Sequence, residues 1–201
     1  GEVRAKQLIL AGNAYLGELA PKIAHKILPA GSYIIASEPL SESVYKSLLP
    51  NNHAVCDQKI ELDYFRLSAD KRLLFGGLCN YSARDPKNIA ATLTPKMLSV
   101  FPELADVNID FQWGGMIGIG ANRLPQIGRL DHNIYYAQAY SGHGVNITHV
   151  AGKILAEAIS GESSLIKHFE KVKHFTFPGG KHLRSPLLAM GMMYHKLLDK
   201  F

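Results

Sequence analysis

Cysteine is nearly absent from these 201 residues: Cys56 and Cys79 are the only two. Two thiols build no disulfide framework, and without histidines at ligand spacing they build no zinc site, so a reducing cytoplasm is the expected compartment. No run of ~18 apolar residues occurs, and Gly1-Glu2-Val3-Arg4-Ala5-Lys6 has no apolar core of a secretory leader behind it. Neither a membrane span nor a leader is therefore expected. The charge excess is small, Lys+Arg 22 against Asp+Glu 17, and is spread along the chain, which sets nucleic acid aside as a partner. Internal repeats and low-complexity segments are missing. Apolar residues, in contrast, make up 47% of the chain, enough for a packed core and incompatible with disorder. The chain opens on Gly rather than Met with an apolar strand pattern close behind, which reads as a start other than the natural one.

Gln7-Leu8-Ile9-Leu10-Ala11, closed by Gly12-Asn13, predicts a buried strand ending in a turn. Helical spacing follows from Pro21 to Leu28, with proline at a first-turn position. The run from Gly31 to Leu40 predicts a long strand stopped by Pro39, and a short helix from Ser41. Ala54 to Lys59, Leu62 to Leu67 and Leu73 to Phe75 have strand composition, and Ser68-Ala69-Asp70-Lys71 suits a hairpin, so the middle reads as an antiparallel meander. Asp85-Pro86 predicts an N-cap and first helical residue of a helix to about Phe101. Val107 to Trp113 predicts a strand, before the glycine-rich Gly114-Gly115-Met116-Ile117-Gly118-Ile119-Gly120. A strand over Ile134–Ala139 then leads through Tyr140-Ser141-Gly142-His143-Gly144 into an apolar-periodic helix over Val145–Ile159, and Leu183 to Leu198 predicts a last amphipathic helix.

A strand that ends in Ser-Gly-His-Gly and passes straight into a helix presents free backbone N–H groups and a positive dipole end at the turn. The same glycines also serve a sharp turn with no ligand at all. The stretch after Trp113 lacks G-x-G-x-x-G spacing, so a phosphate cradle is not expected there; a strand closely approached by backbone or a planar group is. Arg123, ahead of Leu124-Pro125-Gln126, could hold a carboxylate or a cofactor, or simply pack. His143 offers an acid–base or polar group within its turn. No histidine pair has ligand spacing, so no metal is expected, and Ser141 lies outside a G-x-S-x-G elbow. Tyr64, Phe65, Tyr81 and Trp113 are candidates for a substrate pocket or for core.

Seven ordered segments carry a resemblance. They are Leu8–Gly17, Ser32–Leu40, Arg72–Gly77, Trp113–Gly115, Asn122–Gly128, Tyr135–Val145 and Phe177–Gly180. Together they resemble the FAD-dependent oxidoreductases of the D-amino-acid-oxidase-like superfamily, most of all its gamma-glutamylputrescine oxidoreductase branch. The resemblance implies an α+β fold: an antiparallel mixed sheet of a substrate domain with flanking helices, plus the C-terminal strand and helix of a truncated FAD-binding domain. Residues 1–28 would be a residual FAD-domain strand and helix, 29–120 the substrate-binding domain, and 121–201 the return to the FAD domain. The dinucleotide-binding N-terminal half would be a missing partner. A homodimer is a further expected assembly, because the 8–11 strand and the 145–159 helix would lose their partner sheet.

It further implies noncovalent FAD, with Ala11, Gly12, Arg123, Pro125, Ser141, Gly142, His143, Gly144 and Val145 against the cofactor, and Arg123 to Gln126 matching a strand beside its ring. Tyr64, Trp113 and Tyr140 are the substrate candidates. Asn146 stands where sarcosine-oxidase relatives carry lysine. The implied reaction oxidises a small-molecule amine, gamma-glutamylputrescine or one like it, to imine and then aldehyde, with ammonia and hydrogen peroxide as the other products. No side chain stands out as a catalytic base, and hydride transfer from a neutral amine needs none. The alternatives are an amino-acid oxidase or dehydrogenase of the glycine/sarcosine type, or a binding fragment without catalysis.

Overall fold

The computed structural model describes residues 1–59, 62–80, 85–162 and 164–178. The tail helix expected over Leu183–Leu198 and Tyr81 lie outside the described residues. The chain forms two compact units, Gly1–Ala30 with Met116 onward, and Gly31–Gly115. The fold is α+β, with one mixed and one antiparallel-paired meander sheet. Among the described residues no helix is long and apolar enough to cross a membrane.

The first unit holds a three-stranded sheet in the order β1-β8-β7, from β1 (Leu8–Leu10), β7 (Gln126–Asp131) and β8 (Ile134–Gln138). β1 runs parallel to β8, while β7 and β8 form an antiparallel hairpin. Helix α4 (Gly144–Ile159) and the short α5 (Ser164–Glu170) bury Ala151, Ile154, Leu155, Ala158 and Ile166 with Ile127, Tyr135 and Ala137 of the sheet. Neither β7 nor α5 was foreseen as an element. β7 is interrupted by Gly128 and Arg129, and α5 is too short for its apolar period to register.

Helix α1 covers only Pro21–Ala24, not Pro21 to Leu28. Lys26 N–H closes it with a tight bond to Ile23 O at 3.0 Å, and Ile27 and Leu28 enter β2 (Ile27–Ser37), where both are buried. β2 thus begins four residues earlier than expected, because strand pairing outweighs local helical spacing.

The second unit contains the expected meander: β3 (Val55–Cys56), β4 (Tyr64–Leu67) and β5 (Leu73–Asn80) pair antiparallel, and β2 joins β5. The turn at 68–71 is the predicted hairpin. Its left-handed Lys71 (φ 64°) is stabilised by Ser68 N–H to Arg72 O at 2.9 Å. Helices α2 (Glu42–Leu48) and α3 (Ile89–Val100) cover one face, burying Tyr33, Ile35, Leu67, Leu73 and Phe75 against Leu93 and Met97. Phe65 stacks on Phe75 with centroids 5.8 Å apart.

Helix α3 starts three residues later than Asp85-Pro86 suggests. Asn88 Oδ1 accepts from Ala91 N–H at 2.9 Å as its cap, whereas Asp85 is engaged as acceptor for the Tyr33 hydroxyl at 3.0 Å. The strand expected over Val107–Trp113 and the glycine-rich stretch after it are one continuous strand, β6 (Ile109–Gly120).

Phe75 is fully buried, so Phe75→Ala removes transfer energy and leaves a cavity, at a cost of about 3–5 kcal/mol. Urea unfolding should show a lower midpoint at constant slope. Phe111→Ala, at an exposed ring under the Arg72 guanidinium, should cost about 1 kcal/mol or less.

Candidate functional site

A parallel pair puts both strand ends on the same side of the sheet. Leu10 stands beside Tyr136, so the Ala11-Gly12 turn after β1 and the Ala139–His143 turn after β8 share one rim. β7 runs the other way and begins at Gln126, opposite Gln138. Arg123 and Pro125 therefore reach that rim too, in the turn before β7 rather than on a strand, which corrects the match of Arg123 to Gln126 with a strand. Open α/β sheets place ligands at the carboxyl ends of parallel strands for this reason. All nine cofactor candidates, Ala11, Gly12, Arg123, Pro125, Ser141, Gly142, His143, Gly144 and Val145, lie on this rim.

The rim backbone is unusual. Asn13 (φ 45°), Arg123 (φ 56°), Ala139 (φ 63°) and Ser141 (φ 53°) are left-handed without being glycine, and Gly142 has φ 92°. Each non-glycine residue in that region costs roughly 1–2 kcal/mol. Specific bonds hold them there: Ala139 N–H donates to Asn13 Oδ1 at 2.9 Å, Ser141 N–H to Gly118 O at 2.9 Å, and Gly120 N–H to Ser141 Oγ at 3.3 Å. At the glycine-rich stretch the close approaches are made by side chains rather than backbone: a Cβ on Gly118 would fall 2.2 Å from Asn13 Oδ1, and one on Gly114 2.3 Å from Tyr33 Cδ1.

Helix α4 starts at this rim with no capping side chain and no acidic residue in its first turn. Its first N–H groups and positive dipole end thus face outward unneutralised. Space lies open over Gly142, where a Cβ would meet nothing within 4 Å, and Val145 is 88% exposed.

Asn13 and a buried glutamine pair were missed as site residues. Gln138 Nε2 donates to Ile23 O at 2.8 Å and to Gln126 Oε1 at 2.9 Å, while Gln126 Nε2 donates to Lys26 O at 3.0 Å. Both amides are almost fully buried and lock the β7–β8 ends that carry the rim. Their only sequence signal was a polar residue at the end of each of two apolar strands.

The substrate candidates divide. Tyr140 adjoins the rim, half-buried against the α4 core, and burial pushes its phenol above the ordinary value. Tyr64 and Trp113 belong to the Gly31–Gly115 unit. Tyr64 Oη lies 3.0 Å from Ser32 Oγ, and Trp113 is exposed. Among the described residues no three His, Cys, Asp or Glu side chains converge on a metal position. Beside Arg123, Asn122 Nδ2 lies 3.4 Å from His174 Nδ1, and burial, with Lys26 nearby, holds that imidazole below its ordinary value.

Comparison with known proteins adds three findings. The DAO family of FAD dependent oxidoreductases matches residues 1–158. The chain is 47% identical over all 201 residues to gamma-glutamylputrescine oxidoreductase of Escherichia coli K12, and 43% identical to a probable oxidoreductase OrdL of Haemophilus influenzae. It covers 47% and 46% of those two proteins, so it spans about half the length of the curated relatives it matches. Among solved structures it resembles glycine oxidase from Geobacillus kaustophilus, with TM-score 0.68, 15% identity, 87% of this chain and 47% of that one covered. L-proline dehydrogenase from P. horikoshii matches at TM-score 0.63 and 19% identity over 79% of this chain and 43% of that one. At such identities the structural likeness speaks for the fold alone.

Asn13→Ala should orphan the Ala139 N–H and lower stability by about 1–3 kcal/mol, with faster hydrogen exchange at that amide, whereas Asn13→Asp keeps an acceptor and most of the stability. The lowered His174 value means that the unfolded chain takes up the proton first as pH falls below about 6.5. Stability should therefore decline from there down to the lowered His174 value, and His174→Gln should flatten that slope in unfolding curves taken across the range.

Proposed function

Because the chain belongs to the DAO family of FAD dependent oxidoreductases, we propose that it forms the substrate-binding and flavin-facing portion of an FAD-dependent amine oxidase. The observation that carries this reading is the rim itself: an uncapped, acid-free helix N-terminus entered through a left-handed turn with open space above it. A planar group with an electron-rich edge fits such a rim, because open space over Gly142 admits it and exposed Val145 gives it an apolar contact.

When bound, FAD would supply the hydride acceptor for oxidising the carbon beside a substrate amine, the proposed products being aldehyde, ammonia and, with dioxygen as the final acceptor, hydrogen peroxide. Ser141, Gly142, His143, Gly144 and Val145 would line the ring edge, and the first-turn N–H groups of α4 would favour negative charge there. Ala11 and Gly12 would approach from the β1 end, and Arg123 and Pro125 from the β7 turn. The pair Gln126–Gln138 and Asn13 position this backbone without touching the ring. Neither Cys56 nor Cys79 matches the position near Arg123 at which some relatives link their flavin through a cysteine, which supports noncovalent binding. The pyrophosphate-binding strand, turn and helix are assigned to sequence outside these 201 residues, in keeping with coverage of 47% of the Escherichia coli relative.

Residues 1–28 and 121–201 are assigned to the flavin side and 29–120 to the substrate side, a division supported by chain units that part at Ala30/Gly31 and Gly115/Met116. Gamma-glutamylputrescine, or an amine like it, is the proposed donor, supported by 47% identity to the oxidoreductase named for it.

The natural protein that contains this chain, isolated with its flavin, should lose its flavin absorption band on anaerobic mixing with gamma-glutamylputrescine. Bleaching by glycine or sarcosine instead would move it to the amino-acid branch, and bleaching by no amine would overturn the reading.

A further inference from the structure

The residue ahead of Arg123 ties the rim to a distant stretch of chain. After α5 the backbone runs without helix or strand over residues 171–178 and crosses the corner between α1 and β2, where Phe177 N–H donates to His25 O at 3.0 Å. It also meets the turn before β7, because Asn122 Nδ2 donates to Lys173 O at 3.1 Å and lies 3.4 Å from His174 Nδ1. Every residue in these contacts belongs to the unit formed by Gly1–Ala30 and Met116 onward.

Asn122 is held at both ends of its amide. Its Oδ1 accepts Leu124 N–H at 3.3 Å across Arg123, closing a turn on the side chain, while Arg123 N–H returns to Gly120 O at 2.9 Å. These two bonds keep Arg123, left-handed without being glycine (φ 56°), in its conformation. With Oδ1 committed to Leu124 and one Nδ2 hydrogen to Lys173 O, the second Nδ2 hydrogen is left for His174, whose Nδ1 must therefore be a bare acceptor. A neutral imidazole with its proton on Nε2 meets that demand. An imidazolium does not, because its Nδ1–H would point at an N–H donor.

The surroundings favour the neutral ring. Among the described residues Nε2 is buried without a hydrogen-bond partner, and no carboxylate pairs with His174. Burial first, and then the charge of Lys26 at the α1–β2 corner, hold the imidazole below its ordinary value. The other titratable groups on the elements that meet here are His25 on the same corner, with Glu18 3.9 Å from it, Lys173 beside His174 in sequence, and Arg123 in the turn.

We propose that His174 is a positioning residue for the rim: its neutral ring completes the Asn122 bridge that holds the Arg123 turn in place, and protonating the ring releases that turn. The consequence for the cofactor rests on the flavin-facing reading above. Acid loosens the β7 side of the rim and leaves the α4 side, held by bonds from Asn13 and Ser141, as it is.

Hydrogen exchange and the flavin spectrum of the natural flavin-containing protein test this, both followed from pH 8 downward through the titration of His174. Protection of Leu124 N–H, corrected for the intrinsic exchange rate, should fall about tenfold as the ring gains its proton, the size expected of one hydrogen bond. His174→Asn offers an amide oxygen in place of Nδ1 and cannot titrate, so its protection should stay high at every pH. His174→Leu has no acceptor and should show the low value throughout. The visible absorption band of the bound flavin should shift with the same midpoint in the unmodified protein and stay fixed in His174→Asn. Leu124 protection that is independent of pH in the unmodified protein, or that drops as far in His174→Asn, would overturn the proposal. Should Leu124 protection titrate while the flavin band does not, the bridge stands and the flavin-facing reading of Arg123 fails.

Discussion

The three-residue parallel pairing of β1 with β8 is the constraint on which the rim depends. An antiparallel arrangement would send the turn after β1 to the opposite end of the sheet from the start of α4. Because the strands run the same way, Asn13 arrives beside Ala139 and its side chain accepts the Ala139 N–H at the start of the left-handed turn. Four non-glycine residues in the left-handed region could not persist on local preference. They are held by a set of bonds from β1, β6 and β8 that fail together if the pairing is lost.

Charge is arranged differently in the two units. The rim keeps acids away from the α4 terminus, so its positive end is left for a ligand. Among the described residues of the Gly31–Gly115 unit most charges are paired instead: Asp63, a nearly buried carboxylate, sits 3.0 Å from both Lys59 and Lys96, and Arg72 bridges Asp70, Asp110 and the Ser37 carbonyl. Burying a carboxylate without such partners is costly.

Much was legible in sequence where local chemistry and tertiary demand agree. The 68–71 hairpin, the meander strands and the helix after Ser-Gly-His-Gly all combine turn residues with an apolar period that the core uses directly. Where the two disagree, reading failed. Ile27 and Leu28 fit a helix period but serve β2; Asp85 looks like a cap but is taken by Tyr33, leaving Asn88 to cap α3. Asn13, Gln126 and Gln138 gave almost no signal, since an amide becomes a positioning group only when the carbonyls and N–H groups of distant strands reach it.

By itself, then, the sequence determined the strand–turn–helix at Tyr135–Ile159 and the apolar faces, because these depend on residue type and on periods of two and 3.6, while the α+β class was implied by the family resemblance. Only tertiary structure decided that Ala11, Arg123 and Ser141 share one rim. Those juxtapositions are set by strand direction and register, and register joins residues tens of positions apart through backbone bonds that carry no mark of side-chain identity.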